Sequence, residues 1–303
     1  MGIQLGYACI NTVLRDQGIR IGRSVKKKTY NEKGLEYIGS LVEQNVDDLY
    51  SILEWNVANN IKVFRLTGDI TPWGSEYKLQ DLPNWTRLKP KFEKAGMYAL
   101  DNNVRLSFHP GQYCCLGSAK DNVILHATKD LEMHGRVMDA LLQPKSRLAK
   151  INIHLGGAYG DKHSAINRFI SNYNKLSNSV RSRLTLENDD RASLYTVREL
   201  HDFIHVRTGI PIVFDYHHHA IHPGEETEQE ALELACSTWK VKPCTHYSES
   251  AQLERGEKAP FRAHSKLVYS PINAYGLDID CVVEAKSKEQ AVLHYRELYG
   301  MEQ

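Results

Sequence analysis

Four apolar runs in succession end in side chains that bind metals or move protons. FHPGQY carries His109, INIHLGG carries His154, LTLEND carries Glu187, and IVFDYHHH carries Asp215 with His218 three residues on. The series continues through His246 in PCTHYS, His264 in RAHS and Glu284 in VVEAK. Imidazole nitrogens and carboxylate oxygens without thiolates are the donor set of Mn²⁺, Zn²⁺ or Fe²⁺. Taken singly, each has an ordinary explanation: a histidine at a strand end is most often a hydrogen-bonded structural residue, and an acid there is most often a helix cap. Taken together they do not. Carboxylates that converge in a concave site lose hydration and repel one another, so cations must neutralise them. The pattern therefore points to a multinuclear metal site. In the run His217–His218–His219, neighbouring extended residues point to opposite faces, so the three cannot share one ion. His218 has the spacing from Asp215 to return as a ligand, and His217, His219 and His222 are read as supporting or surface groups.

Such residues need a scaffold that brings strand ends together. Eight short apolar runs are strand candidates: Ile3–Ala8, Lys62–Leu66, Val104–Phe108, Lys150–Ile153, Arg183–Leu186, Pro211–Phe214, Lys242–Thr245 and Asp280–Val283. Between them lie helical patterns such as Val46–Asn59, with Leu49, Ile52, Leu53 and Val57 on one face, and Ser193–Val206, with Leu194, Val197, Leu200 and Ile204. Alternating strand and helix imply a parallel sheet, and an eightfold count at 303 residues fits an α/β fold of the closed (β/α)8 TIM-barrel type, with its chemistry at the C-terminal strand ends. No Gly-rich fingerprint follows the first run, which argues against a dinucleotide fold. No linker or repeat divides residues 1–303, so a single barrel domain is expected. Arg20–Tyr30 reads as a basic loop and Ser248–Arg262 as a long polar one.

Lys plus Arg number 38 against 37 for Asp plus Glu, so no overall basic excess advertises a polyanion partner, and any such site must be a local patch. Arg20, Arg23, Lys26–Lys28, Lys162 and Arg191 are the residues expected to supply it at the barrel mouth. Six cysteines without a C-x-x-C pair argue for reduced thiols and against a finger-type zinc. Neither a signal peptide nor a membrane span is visible, so an intracellular location is expected.

The strings LGYACIN, FHPGQY, INIHLGGAYGDK, LTLENDDR, FDYHHHAIHPG, THYSES, RAHS and VEAKSKEQA, running in order from Gly6 to about Ala291, resemble those of the UV damage endonuclease family, a relative of endonuclease IV. The resemblance implies a TIM barrel that nicks duplex DNA immediately 5′ to ultraviolet photoproducts, leaving a 3′-hydroxyl and a 5′-phosphate, with two or three divalent ions, typically manganese, with zinc or magnesium as alternatives. It implies that His109, His154 and Glu187 hold one ion, that Glu187 bridges to a second shared with Asp215, His246 and Glu284, and that His218 and His264 hold a third. Glu187, His109 and Asp215 would then be the catalytic core. Gln112 and Tyr113 match the pair inserted into the duplex at the lesion, and Tyr7 and Asn11 match first-strand positions near the damaged nucleotides. The implied partner is damaged double-stranded DNA, bound by a monomer.

Two positions depart from the family pattern. Ser75-Glu76 stands where Ser-His is usual, which makes Glu76 a further candidate ligand, and Cys244 stands where a lysine that can be carboxylated is common. Both lie around the expected cluster and bear on ion count, ion identity and lesion preference, with action on abasic sites as a variant. The rival reading from another class is a xylose-isomerase-like metal-dependent sugar isomerase or epimerase. The FHPGQY loop and the basic loop, which an isomerase has no need of, weigh against it. A damage-binding protein without catalysis ranks third, because only the Glu76 position departs from the ligand set.

Overall fold

A computed structural model describes residues 2–301. Each apolar run becomes a parallel strand, with ends that agree to within two residues: β1 (Ile3–Ala8), β2 (Val63–Leu66), β3 (Arg105–Phe108), β4 (Ile151–Ile153), β5 (Leu184–Glu187), β6 (Ile212–Val213), β7 (Cys244–Tyr247) and β8 (Ile279–Val283). The strands form one eight-stranded sheet in the order β6-β5-β4-β3-β2-β1-β8-β7. The remaining seam, β6 to β7, is joined by a single parallel bridge between Asp215 and His246, with the His246 N–H donating to the Phe214 carbonyl at 2.9 Å. Two candidate ligands thus form the seam that closes the TIM barrel.

Apolar faces of the surrounding helices pack on the barrel and bury Leu49, Ile52 and Leu53 as expected. The first long helix, Lys27–Ala58, starts earlier than the periodicity suggests and passes a non-helical Gly34 at φ 62°. Lys27 and Lys28 therefore open a helix rather than sit in a loop. The Ser193–Val206 pattern begins as a helix at Val197, behind a Thr196/Glu199 capping box, passes through a π turn over His201–His205 and stops after Thr208 at Gly209, whose φ is 70°. The polar stretch after β7 is irregular apart from a turn of helix at Gln252–Arg255. Buried Glu249 ties it down by accepting the backbone N–H groups of Tyr269 and Ser270 at 2.9 and 2.8 Å.

Period-two alternation sends every second residue of a strand into the barrel. In this chain the inward set is polar: Ser107, Asn152 and Thr185 are all buried. At the N-terminal end Arg105 closes the barrel floor. Its three guanidinium nitrogens donate to the carbonyls of Leu148, Lys242 and Arg147 and to Asp280 Oδ2 at 2.8–3.0 Å. Lys242 adds a second cation, 3.0 Å from Asp280 Oδ1. All six cysteines are free thiols. Among the described residues no helix is long and apolar enough to cross a membrane.

Candidate metal centre

The C-terminal ends of β3 to β8 converge on Glu187, the last residue of β5, which is 1% exposed. Its Oε2 lies 3.2 Å from His109 Nε2 and 2.9 Å from His246 Nδ1, and its Oε1 lies 3.8 Å from His154 Nε2 and 3.3 Å from His218 Nδ1. Each oxygen therefore faces two imidazoles. Three sets of donor atoms come close enough to share an ion: His109, His154 and Glu187; Glu187, Asp215 and His218; and Asp215, His246 and Glu284. The first set is the one the resemblance implies. The third matches the second implied ion, with Glu187 beside it through His246.

His218 differs from the expectation, since it joins Glu187 and Asp215 rather than pairing with His264. The His264 ring Nδ1 is engaged with the Glu284 carbonyl at 2.9 Å and stands 3.9 Å from Glu284 Oε2, against the ring of buried His217. His264 belongs to none of the three sets.

Electrostatics follow from burial. Desolvation raises Asp215 from its ordinary carboxylate range to about 7, and pushes His246, helped by the Lys150 charge, down to about 3. Burial opposes charge at His154 and Glu187, but the facing partners win: Glu187 and Asp189 lift His154 to about 9, and the surrounding imidazoles hold Glu187 well below its usual value. Burial likewise opposes ionisation of Glu284, which the Arg65 charge holds low.

Buried polar atoms without a hydrogen bond test whether this set fits cations. Asp215 Oδ2 is such an atom, although Asp215 Oδ1 is used to cap the following helix through the His218 N–H at 2.8 Å. A buried carboxylate oxygen left unpaired costs free energy unless an external cation binds it. The donor chemistry and this orphaned oxygen fit divalent ions.

Several residues that shape the centre escaped the motif reading. Asn152, two residues before His154, donates to Glu187 Oε2 and accepts from the Thr185 hydroxyl at 2.8 Å. Asn188 brackets Asp215, accepting its N–H at 2.8 Å and donating to its carbonyl at 3.0 Å. Asp189 sits 3.0 Å from His154 Nδ1 and orients that ring from behind. Arg65 at the end of β2 pairs with Glu284. Lys150, fully buried, places its Nζ 2.9 Å from His246 Nε2. An amine therefore reaches the seventh-strand histidine from β4, although Cys244 carries none. The signal was present in the alternation Lys150, Asn152, His154, three polar residues at every second position along β4 and the residues that flank it.

The remaining candidates lie in different surroundings. Glu76 lies in a short turn, Gly74–Glu76, with its side chain in solvent, and it joins none of the three donor sets. Tyr7 and Asn11 are buried: the Asn11 amide donates to the Tyr7 hydroxyl at 3.0 Å, which donates to Asn56 at 2.7 Å, while Asn11 caps the next helix. Both side chains are engaged within the chain at the end of β1. Gln112 and Tyr113 are exposed, Tyr113 at 82%, and line a cleft of ≈ 640 Å³ that reaches His154 and His218. Of the basic residues, Arg23 is spent on Asp48 at 2.7 Å and Lys162 on Glu199 at 2.6 Å, whereas Arg191 lines the cleft.

Fold and site together define a TIM barrel with a candidate multinuclear metal centre at its carboxyl-end mouth. Residues 3–303 match the UV-endonuclease UvdE family, and the chain belongs to it. The UV-damage endonuclease of Schizosaccharomyces pombe is 35% identical over 99% of this chain, and the UV DNA damage endonuclease of Clostridium perfringens is 32% identical over 95% of it and 68% of its own length. The chain spans about half, 51%, of the S. pombe relative. The crystal structure of SacUVDE superposes with a TM-score of 0.83 at 28% identity, covering 98% of this chain and 99% of that one. The isomerase reading is not favoured by these matches.

Proposed function

We propose that the protein is a metal-dependent endonuclease that nicks duplex DNA immediately 5′ to ultraviolet photoproducts, cyclobutane dimers and 6-4 photoproducts, and also at abasic sites, acting as a monomeric single-barrel enzyme. The observation that carries the reading is the position of Glu187, whose two oxygens each face two imidazoles, in a chain of this family. His109, His154 and Glu187 would hold one divalent cation and Asp215, His246 and Glu284 another, with His218 shared through Glu187 and Asp215, and manganese the expected ion. Divalent ions held by these residues would supply charge neutralisation of the phosphodiester and a lowered pKa for a nearby water. The protein's own part is positioning. Asn152 and Thr185 fix the plane of the Glu187 carboxylate, Asn188 and the β6–β7 bridge fix Asp215, and Asp189 fixes the His154 ring. Glu187, His109 and Asp215 are the proposed catalytic core.

Recognition needs no base sequence. Extruding nucleotides costs a few kcal/mol in intact duplex and less where a photoproduct has weakened stacking. Tyr113, exposed on the turn that follows Pro110-Gly111, and Gln112 beside it are suited to fill the gap by stacking and hydrogen bonding. The test is incubation of irradiated and intact plasmid with protein loaded with Mn²⁺, Zn²⁺ or Mg²⁺, together with metal analysis of the protein as purified. Nicks confined to irradiated plasmid, with ends that a polymerase extends, are expected; intact irradiated plasmid after full loading would overturn the reading. Replacing Gln112 and Tyr113 together by Ala should weaken binding to damaged duplex more than to undamaged duplex, and equal losses would remove the wedge role.

A further inference from the structure

Four residues beyond Glu284, at the start of the last helix, Lys288 has φ 55° and ψ −124°. Glycine enters that region freely and an L side chain only under strain. The strain is held in place by its neighbours. The Lys288 N–H donates to the Ala285 carbonyl at 3.2 Å, and fully buried Glu289 accepts the N–H groups of Thr12 and Val13 at 2.8 and 3.1 Å. The lysine is partly buried, and burial pushes its amine down, with the Arg65 and Lys286 charges acting the same way and Cys9 and Glu284 against it. Among these, Glu284 is the one acid, and Arg65 already pairs with it. Among the described residues the Lys288 amine has neither an ion pair nor a hydrogen bond. A partly desolvated ammonium set among other cations at the rim of a metal centre lacks an anion, and cations bound at Glu284 would deepen the deficit.

We propose that Lys288 holds a backbone phosphate of the nucleic acid other than the one that is cut. The proposal rests on the nuclease reading of the mouth. A phosphate supplies the missing charge and accepts from the amine, and its place at the ends of β1, β2 and β8 gives the duplex a hold apart from the Gln112–Tyr113 turn.

Because the backbone at 288 favours glycine, Lys288→Gly separates binding from stability. We expect this variant to keep its metal content and to melt at the same temperature or about 1–2 °C higher. It should bind a dimer-bearing duplex roughly tenfold more weakly in low salt, with the slope of log affinity against log salt reduced by about 1. Lys288→Arg should restore both. Binding is measured in excess chelator, and incision with Mn²⁺. A set of duplexes, each with one neutral methylphosphonate, should contain a position near the lesion at which wild type and Lys288→Gly bind equally. Unchanged affinity and salt slope in Lys288→Gly, or no such position, would overturn the proposal. A wild type that binds but never cuts would fail the nuclease reading while leaving the Lys288 comparison readable, and a wild type that binds no DNA would overturn both.

Discussion

The two ends of the barrel bury charge in opposite ways. At the floor, Arg105 places its three guanidinium nitrogens on three carbonyls and Asp280, while Lys242 covers the same acid from its other side. Nearby, buried Arg183 does the same with Asp139, Ser179 and the carbonyls of Gln143 and Pro144. Opposite charges meet there within the chain. At the mouth three carboxylates and four imidazoles meet instead, with Asp215 Oδ2 left without a hydrogen bond or an ion pair. Buried charge that is compensated internally serves the fold, and buried charge whose compensation must come from outside marks a binding site.

The sharpest break between the two ends is Glu187→Gln. It removes the shared carboxylate and should lower incision of irradiated plasmid by on the order of a thousandfold or more while the far-ultraviolet circular dichroism stays unchanged. Turnover at the wild-type rate under saturating metal would sink the assignment. Arg105→Ala is its mirror image: stranding Asp280 should cost about 3–5 kcal/mol in denaturant unfolding, with metal stoichiometry per folded molecule intact. A smaller effect is expected of Asp189→Asn, which loosens the His154 ring and should weaken metal affinity by about 10–100-fold in competition with a chelator.

pH sharpens the contrast further. In the metal-free protein His154 titrates near 9 against 6.5 for an unperturbed ring, so its contribution to stability is full below pH 6.5 and is lost as pH rises through 9. Melting temperature measured over that window should fall in the metal-free protein, fall less with saturating divalent cation, and fall less in His154→Gln. Arg105→Ala should keep the wild-type slope, and a slope that disappears with Arg105 would tie the dependence to the floor.

Much of this was legible in one dimension. Strand periodicity located all eight strands to within two residues, and the residue types that end β3, β4 and β5 announced His109, His154 and Glu187, which do share one site. Harder to read were residues whose meaning is a partner on another strand. Lys150 and Asn152 look like ordinary polar positions until the barrel turns them inward toward His246 and Glu187. In LTLEND only the glutamate was read, yet Asn188 grips Asp215 and Asp189 steadies His154. At Tyr7 and Asn11, position in a motif does not reveal that each side chain is hydrogen-bonded within the chain.

The order of strands and the supply of donor atoms are local properties, written in hydrophobic period and side-chain chemistry, and the chain alone determined them. Which oxygen faces which nitrogen, why His264 stands outside the donor sets and why Glu76 remains in solvent were decided by barrel closure. Closure brings strands hundreds of residues apart to within a hydrogen bond of each other, and contacts of that kind have no spacing in the sequence to announce them.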